Sequence, residues 1–349
     1  MSYRFFMRAA ELTAPLTFRL TDMPIEDPAP GEVQVRVEAV GICGSDLHAY
    51  TEGQVGSTPN VYPMVLGHEP AGAIVKTGAG VTALAVGDRG ALEPALYCYH
   101  CEFCLSGHHN VCANIRFLSN PHLPGFFREF VNLPAANFFP IASGMSCAEA
   151  SLAEPLAIGV HSLRLASVQA GETVAVFGAG PIGLMTIAAL RAVHAGRIWA
   201  IEPLAHRREM ALALGAHAAL EPGEAVHEIL HATSQRGVDC AIDCAAADET
   251  ISQAIHIARN AGRIVLTGIP AGTFITIDSS AMRRKELTLF NVRRSNNESG
   301  EALQLLREHA EWFAPVLTHT RPIDRIAEAF DIASHYRDGV GKMIVVPHI

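Results

Sequence analysis

Eight cysteines occur among 349 residues, and four of them, Cys98, Cys101, Cys104 and Cys112, fall in one C-x2-C-x2-C-x7-C run. Thiolates at that spacing can close a tetrahedron around one zinc ion. Such a site has no position left for a substrate, so it braces a loop rather than reacting. An iron–sulfur cluster draws on the same four thiolates. His108 and His109 sit inside the run, but four sulfurs already complete it. A second group is looser. Cys43 stands in Gly41-Ile42-Cys43-Gly44-Ser45-Asp46-Leu47-His48-Ala49-Tyr50, and Gly67-His68-Glu69-Pro70-Ala71-Gly72 follows further on. Cys, His and Glu are all zinc ligands. Taken singly, each also has a plain explanation, as a core thiol or a surface His–Glu pair. Cys147, Cys240 and Cys244 read as small buried apolar side chains.

A third constellation binds phosphate. Gly178-Ala179-Gly180-Pro181-Ile182-Gly183 is a G-x-G-x-x-G turn between a short apolar run, Val174–Phe177, and a helical pattern, 181–193. Glycines at these positions allow the tight turn, the approach of a pyrophosphate and close helix–sheet packing. The helix N-terminus supplies free N–H groups and the positive end of its dipole. Glu202 ends the next strand, where a carboxylate meets the ribose 2′-hydroxyl and repels the 2′-phosphate of NADP. The sequence therefore favours NAD, although His206, Arg207 and Arg208 follow and a guanidinium can pair with a phosphate.

The elements that must position these residues differ along the chain. Before residue 155 the sequence is rich in Pro and Gly with short alternating runs such as Glu32–Val37, which predicts an irregular, mostly β domain. From Thr173 strands and helices alternate: strands at 198–201, 238–244 and 263–268, helices at 206–214 and 250–259. That alternation predicts a parallel sheet. Two helices, 301–312 and 323–336, and a strand, 343–346, follow and need not join it.

Composition sets the outer limits. Hydrophobic residues make up 49% and charged residues 17%, which excludes a disordered chain. The net charge of -9 argues against nucleic-acid and anionic-membrane partners. The uncharged stretch Thr173–Leu190 is broken by its glycine cluster and reads as strand, turn and buried helix rather than a membrane span. Arg4 and Arg8 interrupt any secretory signal, so the cytoplasm is the expected compartment.

With these residues in view, the chain resembles the zinc-dependent medium-chain alcohol dehydrogenase superfamily, and within it the sorbitol (polyol) dehydrogenase branch. Gly67-His68-Glu69 with Gly72 and Gly78, the four-cysteine loop, and Ala153-Glu154-Pro155-Leu156-Ala157-Ile158-Gly159-Val160-His161 carry the resemblance. It implies an α/β architecture: a GroES-like, mostly β catalytic domain over 1–155 and 295–349, and a Rossmann doubly wound parallel sheet over 156–294 that binds NAD. It further implies two zinc ions per chain. Cys43, His68 and Glu69 would hold the catalytic one, with Glu154 as a ligand or bound through the zinc water. Cys98, Cys101, Cys104 and Cys112 would hold the structural one. Ser45 would touch the alcohol oxygen and His48 would pass its proton to solvent. Tyr50 and Arg294 would contact substrate, and the loop 117–127, which departs from the family's glycine-rich version, would line the substrate cleft. Gly178, Gly180, Pro181, Ile182, Gly183, Glu202, Arg207, Thr267, Gly268 and Ile269 would bind NAD. The implied reaction oxidises a secondary alcohol of a polyol or sugar derivative to a ketone, in a homodimer or homotetramer whose copies meet at the last strands of the Rossmann sheet. Threonine dehydrogenase-like and general secondary alcohol dehydrogenase activities are the nearest alternatives, and Glu154-Pro155-Leu156 favours polyols. A zinc-free quinone or enone reductase would not need Cys43, His68 and Glu69. A non-enzymatic NAD-binding protein would not need Ser45 and His48.

Overall fold

A computed structural model describes residues 6–270 and 272–348. The chain divides into two compact units. The first takes residues as far as Glu154, Ser299–Ala310, and those from Leu317 onward. The second takes Pro155–Glu298 and Glu311–Val316. Two segments expected with the first unit thus belong to the second, and local contacts account for both. Glu298 is buried and bonded to His161 (3.1 Å) and Arg164 (2.9 Å). Trp312 lies under the Arg191 guanidinium, 3.9 Å from the ring centroid.

The first unit is built on a mixed sheet whose strands run in the order Phe138–Pro140, Arg89–Leu92, Glu69–Thr77, Glu32–Gly41, Lys342–Val346, Leu317–Pro322. Phe130–Pro134 also pairs with Glu32–Gly41. Along Glu32–Gly41, Val33, Val35, Val37 and Val40 are fully buried in an apolar core with Phe126, Phe127 and Phe330. Register then brings three strand ends together. Gly41 lies opposite Glu69 on one side and Ile344 on the other. The first residue of one neighbour and the last of the central strand therefore share one corner, and the third strand enters it at Lys342, two residues before Ile344.

The second unit holds a six-stranded parallel sheet in the order Ala218–Leu220, Ile198–Ile201, Val174–Phe177, Val238–Asp243, Ala258–Leu266, Thr288–Asn291. Numbered within the unit this is 3-2-1-4-5-6, the dinucleotide-binding order, which reverses direction beside Val174–Phe177. All four residues of that strand are fully buried, as a strand covered on both faces must be. The strands predicted at 174–177 and 198–201 are found with those bounds, and the other predicted elements of this unit with shifted ends. Arg259, expected at the end of a helix, lies in a strand, because the helix stops at Ile257 and the chain turns directly into Ala258–Leu266. The helix expected over 301–312 is interrupted, forming Ser299–Glu308 and Ala310–Phe313. No helix among the described residues is long and apolar enough to cross a membrane.

Candidate active site and metal centres

The corner where the strand ends meet carries the first cluster. Cys43 follows the strand Glu32–Gly41 and caps the helix Gly44–Glu52. His68 immediately precedes the strand Glu69–Thr77, which Glu69 opens. One ligand atom from each of Cys43, His68 and Glu69 lies within 4.8 Å of the others. Asp46, which the sequence reading passed over, organises them. It is buried, accepts the backbone N–H groups of Cys43 and Gly67 (both 3.1 Å), and faces Nδ1 of His68 at 3.4 Å. That contact turns Nε2 of His68 toward Ser45, whose Oγ is 3.4 Å away. A carboxylate on the far nitrogen of a histidine is the usual way its tautomer and ring orientation are fixed for a metal. The signal was present in the sequence, since Asp46 stands three residues after the cap, where an acidic side chain reaches back to it.

The electrostatics of the cluster also favour a cation. Burial works against a charged His68, yet the Asp46 carboxylate and the Cys43 sulfur outweigh it and hold the imidazole well above an ordinary histidine. Burial pushes the Glu154 carboxyl up to about 8, with Glu69 and Glu93 adding to the rise and His68 and Lys342 opposing it. Oε1 of Glu69 and Oε2 of Glu154 are buried without a hydrogen-bond partner among the described residues, while Oε2 of Glu69 meets the ammonium of Lys342. Buried carboxylate oxygens left so are costly. A divalent ion held by sulfur, nitrogen and carboxylate is the donor set that zinc takes, with a further position open.

The second cluster is self-contained. Sulfur–sulfur distances of 3.4 Å (Cys98–Cys112), 3.8 Å (Cys101–Cys112) and 4.0 Å (Cys98–Cys104) are far beyond a disulfide. They match the edge of a tetrahedron with zinc–sulfur bonds of about 2.3 Å, which is about 3.8 Å. Backbone N–H groups of Cys101 and Asn114 point at the sulfurs of Cys98 and Cys112, each at 3.4 Å. The Asn114 side chain and the His100 backbone help hold the Cys98 thiol down to about 5, so it is ready to bind as a thiolate. His109 packs its ring, tilted, against those of Tyr97 and Tyr99.

The phosphate turn is in the second unit. Gly178 has φ of +85°, and a Cβ on Gly183 would collide with the Gly178 carbonyl oxygen, so both positions require glycine. Pro181 is the first residue of the helix Pro181–Ala192, followed by Ile182. Glu202 is buried, and its carboxylate accepts the backbone N–H groups of Ala179 (2.7 Å) and Leu204 (3.0 Å). Arg207 is buried with its Nη1 near the Cβ position of Gly180. Thr267 bonds to Ser162 (3.1 Å), Gly268 packs on Cys244 and Ala246, and Ile269 is exposed.

The other expected site residues are placed less uniformly. His48 is 2.7 Å from Glu52 and partly exposed. Phe117 packs its ring 5.6 Å from that of His68. Tyr50 instead lies in the core, its ring against those of Phe18 and Phe330, which also meet each other, with 6% of the residue exposed. Arg294 is half-buried on a left-handed backbone, in the second unit.

Comparison with known proteins follows this division. Residues 29–143 match the family described as alcohol dehydrogenase GroES-like domain, and residues 181–308 the family described as zinc-binding dehydrogenase. The sorbitol dehydrogenase of Bacillus subtilis is 32% identical over 346 residues, covering 98% of each chain. The chain belongs to the zinc-dependent medium-chain alcohol dehydrogenase superfamily. Two solved structures superpose over nearly its whole length. One, from Sinorhizobium meliloti 1021 with NADP bound, has a TM-score of 0.89 and 29% identity, covering 99% of this chain and 100% of that one. The other, a short chain alcohol dehydrogenase from Escherichia coli CFT073 complexed with NADH, has a TM-score of 0.88 and 28% identity, covering 98% and 100%. A member of this superfamily is an oxidoreductase, and the two clusters supply it with residues suited to two zinc ions.

Proposed function

We propose that the chain is a zinc- and NAD-dependent dehydrogenase that oxidises a secondary alcohol of a polyol or sugar derivative to a ketone. The observation that carries this reading is the Cys43–His68–Glu69 cluster, half-buried at Cys43 and buried at His68 and Glu69, with the Ser45 hydroxyl 3.4 Å from His68. Its relative from Bacillus subtilis, named for sorbitol, points to polyols. Cys43, His68 and Glu69 would hold the catalytic zinc, with Glu154 beside them, and the four cysteines of the 98–112 loop the structural one.

Zinc bound there would supply Lewis acidity to an alcohol oxygen, and NAD a hydride acceptor. The rest is done by the chain. Asp46 fixes His68. Ser45 takes the hydroxyl proton at Oγ, and His48 passes it to solvent, with Glu52 holding its Nδ1. Phe117 keeps water from the His68 ring. In the second unit, Gly178, Gly180, Pro181, Ile182 and Gly183 receive the pyrophosphate, and Glu202 the adenosine ribose. Arg207 and Thr267 to Ile269 complete the NAD site. Glu202 favours NAD over NADP because a buried carboxylate repels a phosphate. Tyr50 and Arg294 are assigned to substrate on resemblance alone. The first unit, with its returning C-terminal segment, is the catalytic domain. The exposed edge strand Thr288–Asn291 is the surface through which copies would join as a homodimer or homotetramer in the cytoplasm.

An NAD-reduction screen over polyols, sugar acids and simple secondary alcohols tests this, with metal analysis alongside. Turnover on a vicinal diol and two zinc ions per chain are expected. Fewer than one zinc, or turnover confined to enones, would refute it.

A further inference from the structure

The open corner of the sheet contains one more charged group, and neither sequence motif nor spacing pointed to it. Lys342 begins the strand Lys342–Val346 and is wholly buried, a rare place for lysine. Its ammonium has two partners. It donates to the carbonyl oxygen of Ile42 at 3.0 Å and forms an ion pair with Oε2 of Glu69, itself wholly buried. Gly41 makes the space: a Cβ there would collide with Glu69 Oε2 and lie 2.6 Å from Cε of Lys342. Oε1 of Glu69 keeps no hydrogen-bond partner among the described residues. One oxygen of this carboxylate is thus engaged by a cation of the chain, and the other is buried and left for another partner.

A carboxylate can give a metal one oxygen or two. With Cys43 and His68, one oxygen makes three protein ligands and leaves the fourth tetrahedral position for a substrate. Two oxygens would crowd that position. We propose that Lys342 is a positioning residue of the metal centre, holding Oε2 of Glu69 so that the carboxylate gives the metal a single oxygen and the fourth position stays open to the alcohol. This rests on Cys43, His68 and Glu69 being the ligands.

Cobalt-substituted full-length protein tests it, because the visible absorption of Co2+ reports coordination number. Lys342→Met should weaken and shift the absorption while metal content stays at two ions per chain, and kcat should fall on the order of 10–100-fold, as for other groups that orient metal ligands. Lys342→Arg, which keeps the cation, should stay close to the parent spectrum. Lys342→Gln, which fills similar space without charge, should move the spectrum in the same direction as Met, and it carries the test if the Met variant does not fold. A parent-like spectrum in the neutral variants would overturn the proposal, even if kcat fell. Cys43→Ala separates the two levels: it should erase the absorption of the site. If it does not, the ligand assignment fails; if it does and Lys342 is silent, only the role of Lys342 fails.

Discussion

The two metal clusters solve opposite problems. The loop at 98–112 takes four like ligands from one short segment and orders them with its own N–H groups. The cluster at Cys43, His68 and Glu69 takes three unlike ligands from two strand ends and a helix cap, with Asp46 and Lys342 behind them. The first needs only local chain and closes on itself. The second needs the whole sheet register and leaves buried oxygens unsatisfied. The difference teaches that closure can be encoded by spacing, whereas an open, reactive site is encoded by tertiary structure.

The strongest way to break this comparison is Cys43→Ala. Turnover should fall by on the order of 1000-fold, corresponding to about 4 kcal/mol of lost transition-state stabilisation, while metal analysis still finds the ion of the cysteine loop. Loss of both ions would show that the clusters are not independent. Cys104→Ser probes the other side. It should release the loop's metal and lower the thermal midpoint by on the order of 10 °C, with kcat at low temperature within a few-fold of the parent. A collapse of kcat without a change in midpoint would reverse the two assignments.

A smaller effect sharpens the open site. His48→Gln should lower kcat roughly tenfold at neutral pH, with recovery at alkaline pH as solvent base replaces the relay. A pH profile superimposable on that of the parent would remove His48 from the path.

The smallest effect is a control in the second unit. Asp239 is drawn in opposite directions. Burial raises its carboxyl, but bonds from Arg236, Thr173 and Arg259 win and hold it well below the carboxylate range. A carboxyl lowered on folding stabilises the protein above its unfolded pKa of about 4, and that stability is lost as pH falls through the folded value. Asp239→Asn should therefore cost about 1 kcal/mol at pH 7, allowing for solvent screening, and progressively less at acid pH. Denaturant midpoints at several pH values measure it. Metal content should not change, and a change would mean that the second unit controls the clusters.

These contrasts also explain what could be read in advance. The cysteine loop and the glycine turn were legible because each is one short run whose spacing is itself the geometry. The strands of the second unit were legible from apolar runs such as Val174–Phe177. Arg259 was not, because nothing in its neighbourhood marks an immediate passage from helix to strand. Tyr50 sits on the same short helix as Ser45 and His48, but its ring is taken into the core by Phe18 and Phe330, which are remote in sequence. Lys342 was invisible for the same reason. Just ahead of the strand predicted over 343–346 it reads as an ordinary polar flanking residue, and its partner Ile42 is 300 positions away.

That separation has a consequence for how the protein is made. Translation delivers Glu69 long before Lys342, and at about 5–20 residues per second the interval is roughly 15–55 s. Through that time the nascent chain has its soft and hard metal donors but not the lysine that restrains one of them, nor the strand that completes their sheet. The segment that carries Lys342 is then the one that finishes the site, so a chain cut short just before Lys342 would keep every predicted metal ligand and leave Glu69 unrestrained.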